Sequence, residues 1–491
     1  MAAMNQGFHK KPRTGTRKLG RRRFLQGAIG AASTLPLRAF GAQNLPAPPP
    51  ETVLVIGAGL AGLAAALRLR EARKQVIVVE ARNAPGGRVR TLRNLSDGLY
   101  AELGAARVAD THEYVLHWLN DFNLSLTAFS PATANVLAMD GRRARADIET
   151  ERARMAPGLS ADERKLSPSA LLLKYIEGLP DELSAPEIDL KNPIFAPFDR
   201  VSWPAFLKMR GASDAAVRMM SLGGDSSPLS ALFMLRQIML IKDSRGYLKI
   251  EGGMDVLPRA IAKSLGAAIR YECEVVRIER EGSKVRAICR ERNRTDTITA
   301  DRAVIAIPFS ALRRVQLDQP FSSLKSEAIA KLSYYEATRF LIETKTRFWE
   351  REKLSGGART DGPGDIWDGS FGQSGRAGIL SLTTGGHAVE TRLAGLPEDA
   401  RRALGASLTE AAFPDVKDQL QTVHIQRWVE EPFARGAFSM FGPGEMTRWT
   451  EAMLKPEGRV HFAGEHLSPW SGWMEGALWS GDRVAQEITQ Q

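Results

Sequence analysis

Residues 53–90 read VLVIGAGLAGLAAALRLREARKQVIVVEARNAPGGRVR, and this stretch decides the fold. An apolar run, Val53 to Ile56, breaks into Gly57, Gly59 and Gly62; a helical stretch comes next, and a second apolar run, Val76 to Val79, ends at Glu80. Strand, glycine turn, helix, strand and terminal acid in that order predict a βαβ dinucleotide-binding unit. Gly57 permits the tight strand-to-helix turn, Gly59 lets the backbone approach a pyrophosphate, and Gly62 lets the helix lie close on the strand. The phosphates then sit on free N–H groups at the helix N-terminus. Glu80 ends the second strand, where a carboxylate accepts both hydroxyls of an adenosine ribose and repels a 2′-phosphate. That favours FAD or NAD over NADP.

The residues after Glu80 select FAD. Gly86-Gly87-Arg88 comes at once, and the whole string from Glu80 to Arg90 resembles the FAD signature of the flavin amine oxidase superfamily. The resemblance implies that Gly86 and Gly87 pass close to the cofactor and that Arg88 reaches its phosphates. It also implies an α/β fold: a Rossmann-like FAD-binding domain, a mixed-sheet substrate domain and a helical insertion. The expected boundaries are 50–109, 245–320 and 455–491 for the FAD-binding domain, 110–244 for the helical region over the substrate entrance, and 321–454 for the substrate-binding domain.

Further along, Glu102-Leu103-Gly104-Ala105-Ala106-Arg107, then Thr111-His112-Glu113-Tyr114 and Phe122-Asn123-Leu124, narrow the resemblance to the L-amino acid oxidases. In those enzymes the arginine matching Arg107 holds the substrate carboxylate. A guanidinium presents a planar fork that fits a carboxylate, which a lysine point charge does not. The competing reading pairs Arg107 with a protein acid or an FAD phosphate. Gly252-Gly253-Met254 is the family's return to the FAD domain, with Asp255 expected to cap the next helix and Pro258 in its first turn. Residues 268–271 and 275–278 alternate as a strand pair should, and Val276 matches the family's usual neighbour of the adenine. Trp203 and the Met219-Met220 pair read as core.

Tyr334 to Phe340 and Thr346 to Glu350 track the family, with one departure: a lysine water-bridged to the flavin N5 is usual where this chain has Arg339. Arginine supplies positive charge there but no neutral base. Residues 428–441, WVEEPFARGAFSMF, line up with a strand crossing the flavin face. Monoamine oxidases carry there a cysteine bonded to the flavin and then a tyrosine; Ala437 and Phe438 stand here instead. The FAD is therefore expected to be non-covalent, with Phe438 one wall of the substrate cage. Near the C-terminus, Val460 to Glu465 and Trp470 to Ala477 match the family's last strand and helix. The match implies Gly464 and Glu465 near the FAD phosphates and ribityl chain, Gly472 against the substrate amino group, and Trp473 opposite the flavin.

Length and composition bound the rest. At 491 residues the chain is long enough for two or three domains. The formal charge of +11 suggests a nucleic-acid partner until it is located: residues 1–42 hold nine Lys or Arg and no acid, leaving +2 for the remainder. No nucleic-acid partner is expected. That segment reads as a twin-arginine signal peptide: Gly20-Arg21-Arg22-Arg23-Phe24-Leu25-Gln26 resembles the twin-arginine box, Gly27 to Leu37 is a weakly apolar stretch, and Ala39-Phe40-Gly41 offers small residues for cleavage near Gly41 or Ala42. It predicts engagement of the twin-arginine export machinery and a periplasmic or secreted protein. Asn44 to Pro50 is a proline-rich linker. Cys273 and Cys289 read as buried small residues, and no metal site is expected.

The resemblance implies FAD-dependent oxidative deamination of an L-amino acid. Flavin N5 takes the Cα hydrogen as hydride, the imine hydrolyses to a 2-oxo acid and ammonia, and molecular oxygen re-oxidises the flavin to give hydrogen peroxide. Two aromatic walls, Phe438 and Trp473, suggest an apolar or aromatic side chain. The alternatives are a monoamine or polyamine oxidase, a periplasmic flavin amine dehydrogenase with a non-oxygen acceptor, and a flavin-binding protein with decayed catalysis. A homodimer is the candidate assembly.

Overall fold

Four of the five residues of strand β1 (Thr52–Ile56) are buried. The helix after it, α1 (Leu60–Glu71), buries Ala61, Ala64, Ala65 and Ala66 almost completely. Small side chains there let the helix lie flat on the sheet, and β2 (Gln75–Val79) returns parallel to β1. The computed structural model describes residues 50–490 apart from 132–134, 156, 223, 293 and 363; the expected export signal, residues 1–42, lies outside them.

The first sheet is parallel throughout, in the order β3 (Ile269–Arg270), β2, β1, β4 (Arg302–Ile305) and the strand Val460–Phe462. Strands from both ends of the chain therefore lie in one sheet, on either side of β4. The C-terminal helix, here α3 (Met474–Thr489), packs across α1, with α2 (Glu113–Asp121) beside it. Glycine makes that crossing: a Cβ on Gly481 would sit 2.5 Å from the Ala61 carbonyl oxygen.

A second sheet of seven strands forms a wall. Its order is β9 (Leu420–Arg427), β5 (Ala337–Thr344), β8 (Gly378–Gly385), β7 (Gly364–Asp368), β6 (Ala358–Thr360), then Val136–Met139 and Arg142–Arg145. Side chains alternate across it. Phe340, Ile342, Leu380 and Leu382 enter one apolar core, and the intervening residues turn to the opposite face.

Between residues 160 and 240 short helices succeed one another, and five of them begin at a serine whose hydroxyl accepts a backbone N–H: Ser160, Ser167, Ser202, Ser213 and Ser230. Each such cap satisfies a donor the helix itself cannot, about 1 kcal/mol apiece. Trp203, Phe206, Leu232 and Leu235 form part of the core these helices share.

Three expectations are corrected. Residues 268–271 and 275–278 are not a pair: β3 joins the parallel sheet, whereas Cys273–Glu281 belongs to a separate four-stranded sheet. Asp255 stands at the N-cap of Val256–Leu265, but its carboxylate makes no cap bond; it is held by Arg93 and Arg259, whose guanidinium charges are stronger partners than a backbone N–H. Residues 428–441 are mostly turns, with Ser439–Met440 the one short strand, because Pro432 and the left-handed Gly436 (φ 142°) interrupt any extended run.

Gly481→Leu should destabilise the protein by about 3 kcal/mol or more, as expected for overpacking where backbone cannot retreat. A urea titration of the variant against the parent measures this.

Candidate active site

One cavity of about 720 Å³ runs from the βαβ unit to the start of α3. At the nucleotide end it is lined by Gly57, Gly59, Glu80, Gly87, Arg88 and Val276, and then by Gly464 and Glu465. Gly62 is not exposed to it. Its α-carbon faces the turn instead, where a Cβ would lie 2.0 Å from the Gly57 carbonyl oxygen. Gly57 needs its left-handed φ of 104°. Gly59 differs from both: its φ is −72° and a Cβ there would meet no atom within 4 Å. No demand of the protein explains Gly59; a ligand passing over the helix N-terminus does, and no side chain caps that terminus. The cradle fits a dinucleotide.

Glu80 is 6% exposed, with one carboxylate oxygen taking the Ala58 N–H (2.8 Å) and the other the Arg82 N–H (2.9 Å). Burial pushes its carboxyl up against those two bonds. The carboxylate is thereby fixed at the end of β2, where each oxygen keeps a lone pair for a ribose hydroxyl. Val276 lies at a β-bulge between Val275 and Arg277, which releases it from the strand register.

Glu465 is the hub of the site. Its carboxylate accepts from Arg88 Nη1 (2.7 Å), Gly472 N (2.7 Å) and Ser439 Oγ (2.7 Å). Burial opposes ionisation, but the Arg88 charge, His466 and the Ser439 hydroxyl outweigh it and hold the carboxyl below its usual range. Arg88 also donates to the Ala437 carbonyl (3.1 Å).

The other end of the cavity is lined by Arg107, Arg339, Phe438, Gly472 and Trp473, so the structure gathers every residue expected around the substrate. Phe438 stacks on Tyr335 (5.2 Å between centroids) and lies against Gly472, where a Cβ would be 3.4 Å from its ring. Trp473 is held on three sides: by a bond from its Nε1 to Gln237 (2.9 Å), by Tyr247 stacked at 6.1 Å, and by the edge of His112 at 4.9 Å. Arg107 lies over Tyr247 (4.8 Å) and makes no hydrogen bond among the described residues; its one acidic neighbour is Asp365, 3.9 Å away. Arg339 donates to the carbonyls of Glu102 and Gly104, both at 3.3 Å, and stacks on Trp367. Burial, with Arg107 beside it, pulls its guanidinium down to about 10, so it is charged at neutral pH.

Sequence reasoning missed Tyr335, Gln237, Asp365, Arg359 and Trp367, all of which line the cavity. Alternation on β5 to β8 carried the signal for the last three, but it takes effect only once the register between strands is known. Trp203 and Met219 are core as expected, each 2% exposed, yet Trp203 and Met220 also border the cavity. Cys273 and Cys289 are buried and free. Among the described residues no group of His, Cys, Asp and Glu is arranged to hold a metal ion.

This geometry is open to two experiments. Gly59→Ala should leave the apoprotein fold intact, because a Cβ there meets no protein atom within 4 Å, and should weaken the cradle's hold on the cofactor, read as loss of flavin absorbance in the purified protein. Separately, burial holds His112 and His466 near pKa 4, against an ordinary 6.5. Below pH 6.5 the unfolded chain takes up protons that the folded one refuses, so stability falls as the pH drops from 6.5 towards 4. The loss should reach about 2 kcal/mol per ring by pH 5, and urea unfolding at pH 7 and pH 5 should show a smaller decrease in the His112→Gln, His466→Gln double variant.

Comparison with known proteins agrees with this geometry. Residues 60–489 match the family model of flavin-containing amine oxidoreductases. The chain is 31% identical over 460 residues to YobN of Bacillus subtilis (strain 168), named as a candidate L-amino-acid oxidase, covering 90% of this chain and 95% of that one. It is 27% identical to an L-amino-acid oxidase of Vipera ammodytes ammodytes, covering 90% of this chain and 93% of the relative. Among solved structures, putrescine oxidase bound to putrescine superimposes with a TM-score of 0.78 at 20% identity, and cyclohexylamine oxidase from Brevibacterium oxydans IH-35A with 0.76 at 23%; each comparison covers 90% of this chain and 99% of the other. These two share the fold. The chain belongs to the flavin-containing amine oxidoreductase family and is an FAD-dependent oxidoreductase acting on a CH–NH2 group.

Proposed function

We propose that the protein oxidises an L-α-amino acid, with Arg107 binding the α-carboxylate. The observation that carries this reading is the state of Arg107: a guanidinium in the cavity wall, free of hydrogen bonds among the described residues, with its nearest acid at 3.9 Å. Its planar donor edge is available to a substrate carboxylate. The relatives named for L-amino-acid oxidase activity align over most of their length and support the same reading. An amine without a carboxylate would leave that donor edge unmatched.

The cradle residues Gly57, Gly59, Glu80 and Arg88, with Glu465 behind them, would hold the FAD non-covalently, and bound FAD supplies the two-electron acceptor for the C–N bond. Arg107 fixes the carboxylate end of the substrate. Phe438, backed by Tyr335, and Trp473, held by Gln237 and Tyr247, are rigid aromatic faces that orient the α-carbon between them. The charged Arg339 guanidinium in the cavity wall disfavours the ammonium form of a bound substrate and so favours its neutral amine. Arg339, charged at neutral pH and bonded to two carbonyls, serves as a fixed charge and not as a proton acceptor. The released imine hydrolyses to a 2-oxo acid and ammonia, and oxygen is the terminal acceptor, giving hydrogen peroxide. Residues 1–42 fit the same proposal as a twin-arginine signal that carries the folded, loaded enzyme across the membrane.

Arg107→Leu tests the assignment. It should lower kcat/KM for L-amino acids at least a hundredfold, the scale of an unmatched carboxylate, while flavin absorbance stays at parent level. Arg107→Lys should recover only part of the loss. Unchanged turnover in Arg107→Leu would remove the reading.

A further inference from the structure

Arg107 and Trp473 stand on different elements, yet one residue behind the cavity wall touches both. Tyr247 lies under the Arg107 guanidinium, with 4.8 Å from its ring centroid to the guanidinium carbon. The same ring stacks on Trp473, 6.1 Å between centroids and 15° between planes. Tyr247 begins the strand Tyr247–Ile250, the middle one of a three-stranded antiparallel sheet with Val108–Ala109 and Leu126–Ala128 at its edges. Ala109 is directly opposite Tyr247, which brings the chain at Arg107 alongside the Tyr247 strand.

The row of rings continues beyond Tyr247. Phe129 meets it edge to face (6.4 Å) and tilts against Trp367 (5.9 Å), and Trp367 carries Arg339 over its face (4.4 Å). The Phe129 N–H donates to the Tyr247 carbonyl (3.0 Å) and ties the two segments together. Both guanidiniums, Arg107 and Arg339, and the Trp473 wall therefore rest on one row of aromatic side chains. Arg107 and Trp473 line the cavity; Tyr247 supports them from behind that lining.

The kind of support decides what Arg107 can do. A carboxylate or carbonyl partner would occupy guanidinium N–H groups and leave fewer for a ligand. An aromatic ring attracts the charge through its quadrupole and takes no lone-pair hydrogen bond. Arg339 has donors committed to the Glu102 and Gly104 carbonyls besides its ring. Arg107 has the Tyr247 ring, and Asp365 at 3.9 Å is beyond hydrogen-bond reach.

We propose that Tyr247 is a positioning residue for the oxidation: its ring holds the Arg107 guanidinium ready for the substrate α-carboxylate and sets the Trp473 wall beside the reacting carbon. It acts through those two groups and not by contact with the substrate. The proposal rests on the L-amino acid reading and adds the residue that organises carboxylate recognition.

The test alters the ring in the holoenzyme in three ways. Tyr247→Phe keeps it, a trifluorinated phenylalanine at the same position keeps its shape but removes most of the negative charge of its face, and Tyr247→Leu removes it. Calorimetric binding of benzoate reads the Arg107 side. The Trp473 side is read by kcat for whichever of L-leucine, L-phenylalanine, L-glutamate and L-lysine bleaches the flavin fastest. Flavin absorbance and thermal midpoint report folding. Relative to Tyr247→Phe, the trifluorinated ring should weaken benzoate about threefold or more and Tyr247→Leu about fivefold or more, with kcat lowered in Tyr247→Leu. Equal benzoate affinity for the two phenylalanine rings, or kcat unmoved in Tyr247→Leu, overturns the proposal, because space-filling alone then accounts for Tyr247. If Tyr247→Leu loses the fold, the comparison of the two phenylalanine rings still decides. Benzoate binding that is absent from the parent, or unmoved in Arg107→Leu, instead removes the carboxylate reading and this proposal with it.

Discussion

Glu465, 6% exposed, accepts hydrogen bonds from Arg88, from the Ser439 hydroxyl and from the Gly472 N–H, so that Arg88, 377 residues away in the chain, meets two C-terminal segments on one carboxylate. A carboxylate this far from water stays ionised only because a guanidinium and two further donors replace the solvent it has lost. Removing either member of such a pair leaves a buried charge uncompensated, at a cost of about 3–5 kcal/mol. The geometry around the cavity depends on this. Arg88 carries the glycine pair of the cradle, Ser439 comes directly after Phe438, and Gly472 precedes Trp473. Through Glu465 the nucleotide end and the substrate end are held in a fixed relation, and the two walls flanking the reacting carbon are set by the same bond network that closes the cradle.

The parallel sheet was the most legible part of the sequence, and for a physical reason. Buried parallel strands read as continuous apolar runs, and the glycine turn between β1 and α1 has steric requirements that few other residues meet. Contacts between distant segments were less legible. The strands at 269–270 and 273–281 look like a hairpin in sequence yet divide between two sheets, because alternation specifies a face and says nothing of which neighbour a strand takes. Asp255 has the residue type and position of a helix cap, but Arg93, distant in sequence, competes for it. The serine caps of the helical insertion are local features, and their spacing before each short helix is a readable signal of where those helices begin.

The candidate site divides in the same way. Residues in continuous motifs, from Gly57 to Arg88 and from Gly464 to Trp473, were identified from the chain and are brought to one cavity. Gly62 belongs to the motif but serves packing against the turn rather than the cavity. The polar rank of Arg339, Thr383, Asp365 and Arg359 could not be read in advance, since it exists only through the pairing of β5 to β8. Tyr335 and Gln237 matter by supporting Phe438 and Trp473, a role that depends on three-dimensional neighbours.

Recognition of a substrate carboxylate by Arg107 separates an amino acid from the amine left by its decarboxylation. The most direct measurement mixes the oxidised holoenzyme anaerobically with matched pairs, each an L-amino acid and the amine left by its decarboxylation, and monitors flavin absorbance. The account predicts that the amino acid of each active pair bleaches the flavin while its amine leaves it oxidised. Equal or faster bleaching by the amines would contradict it.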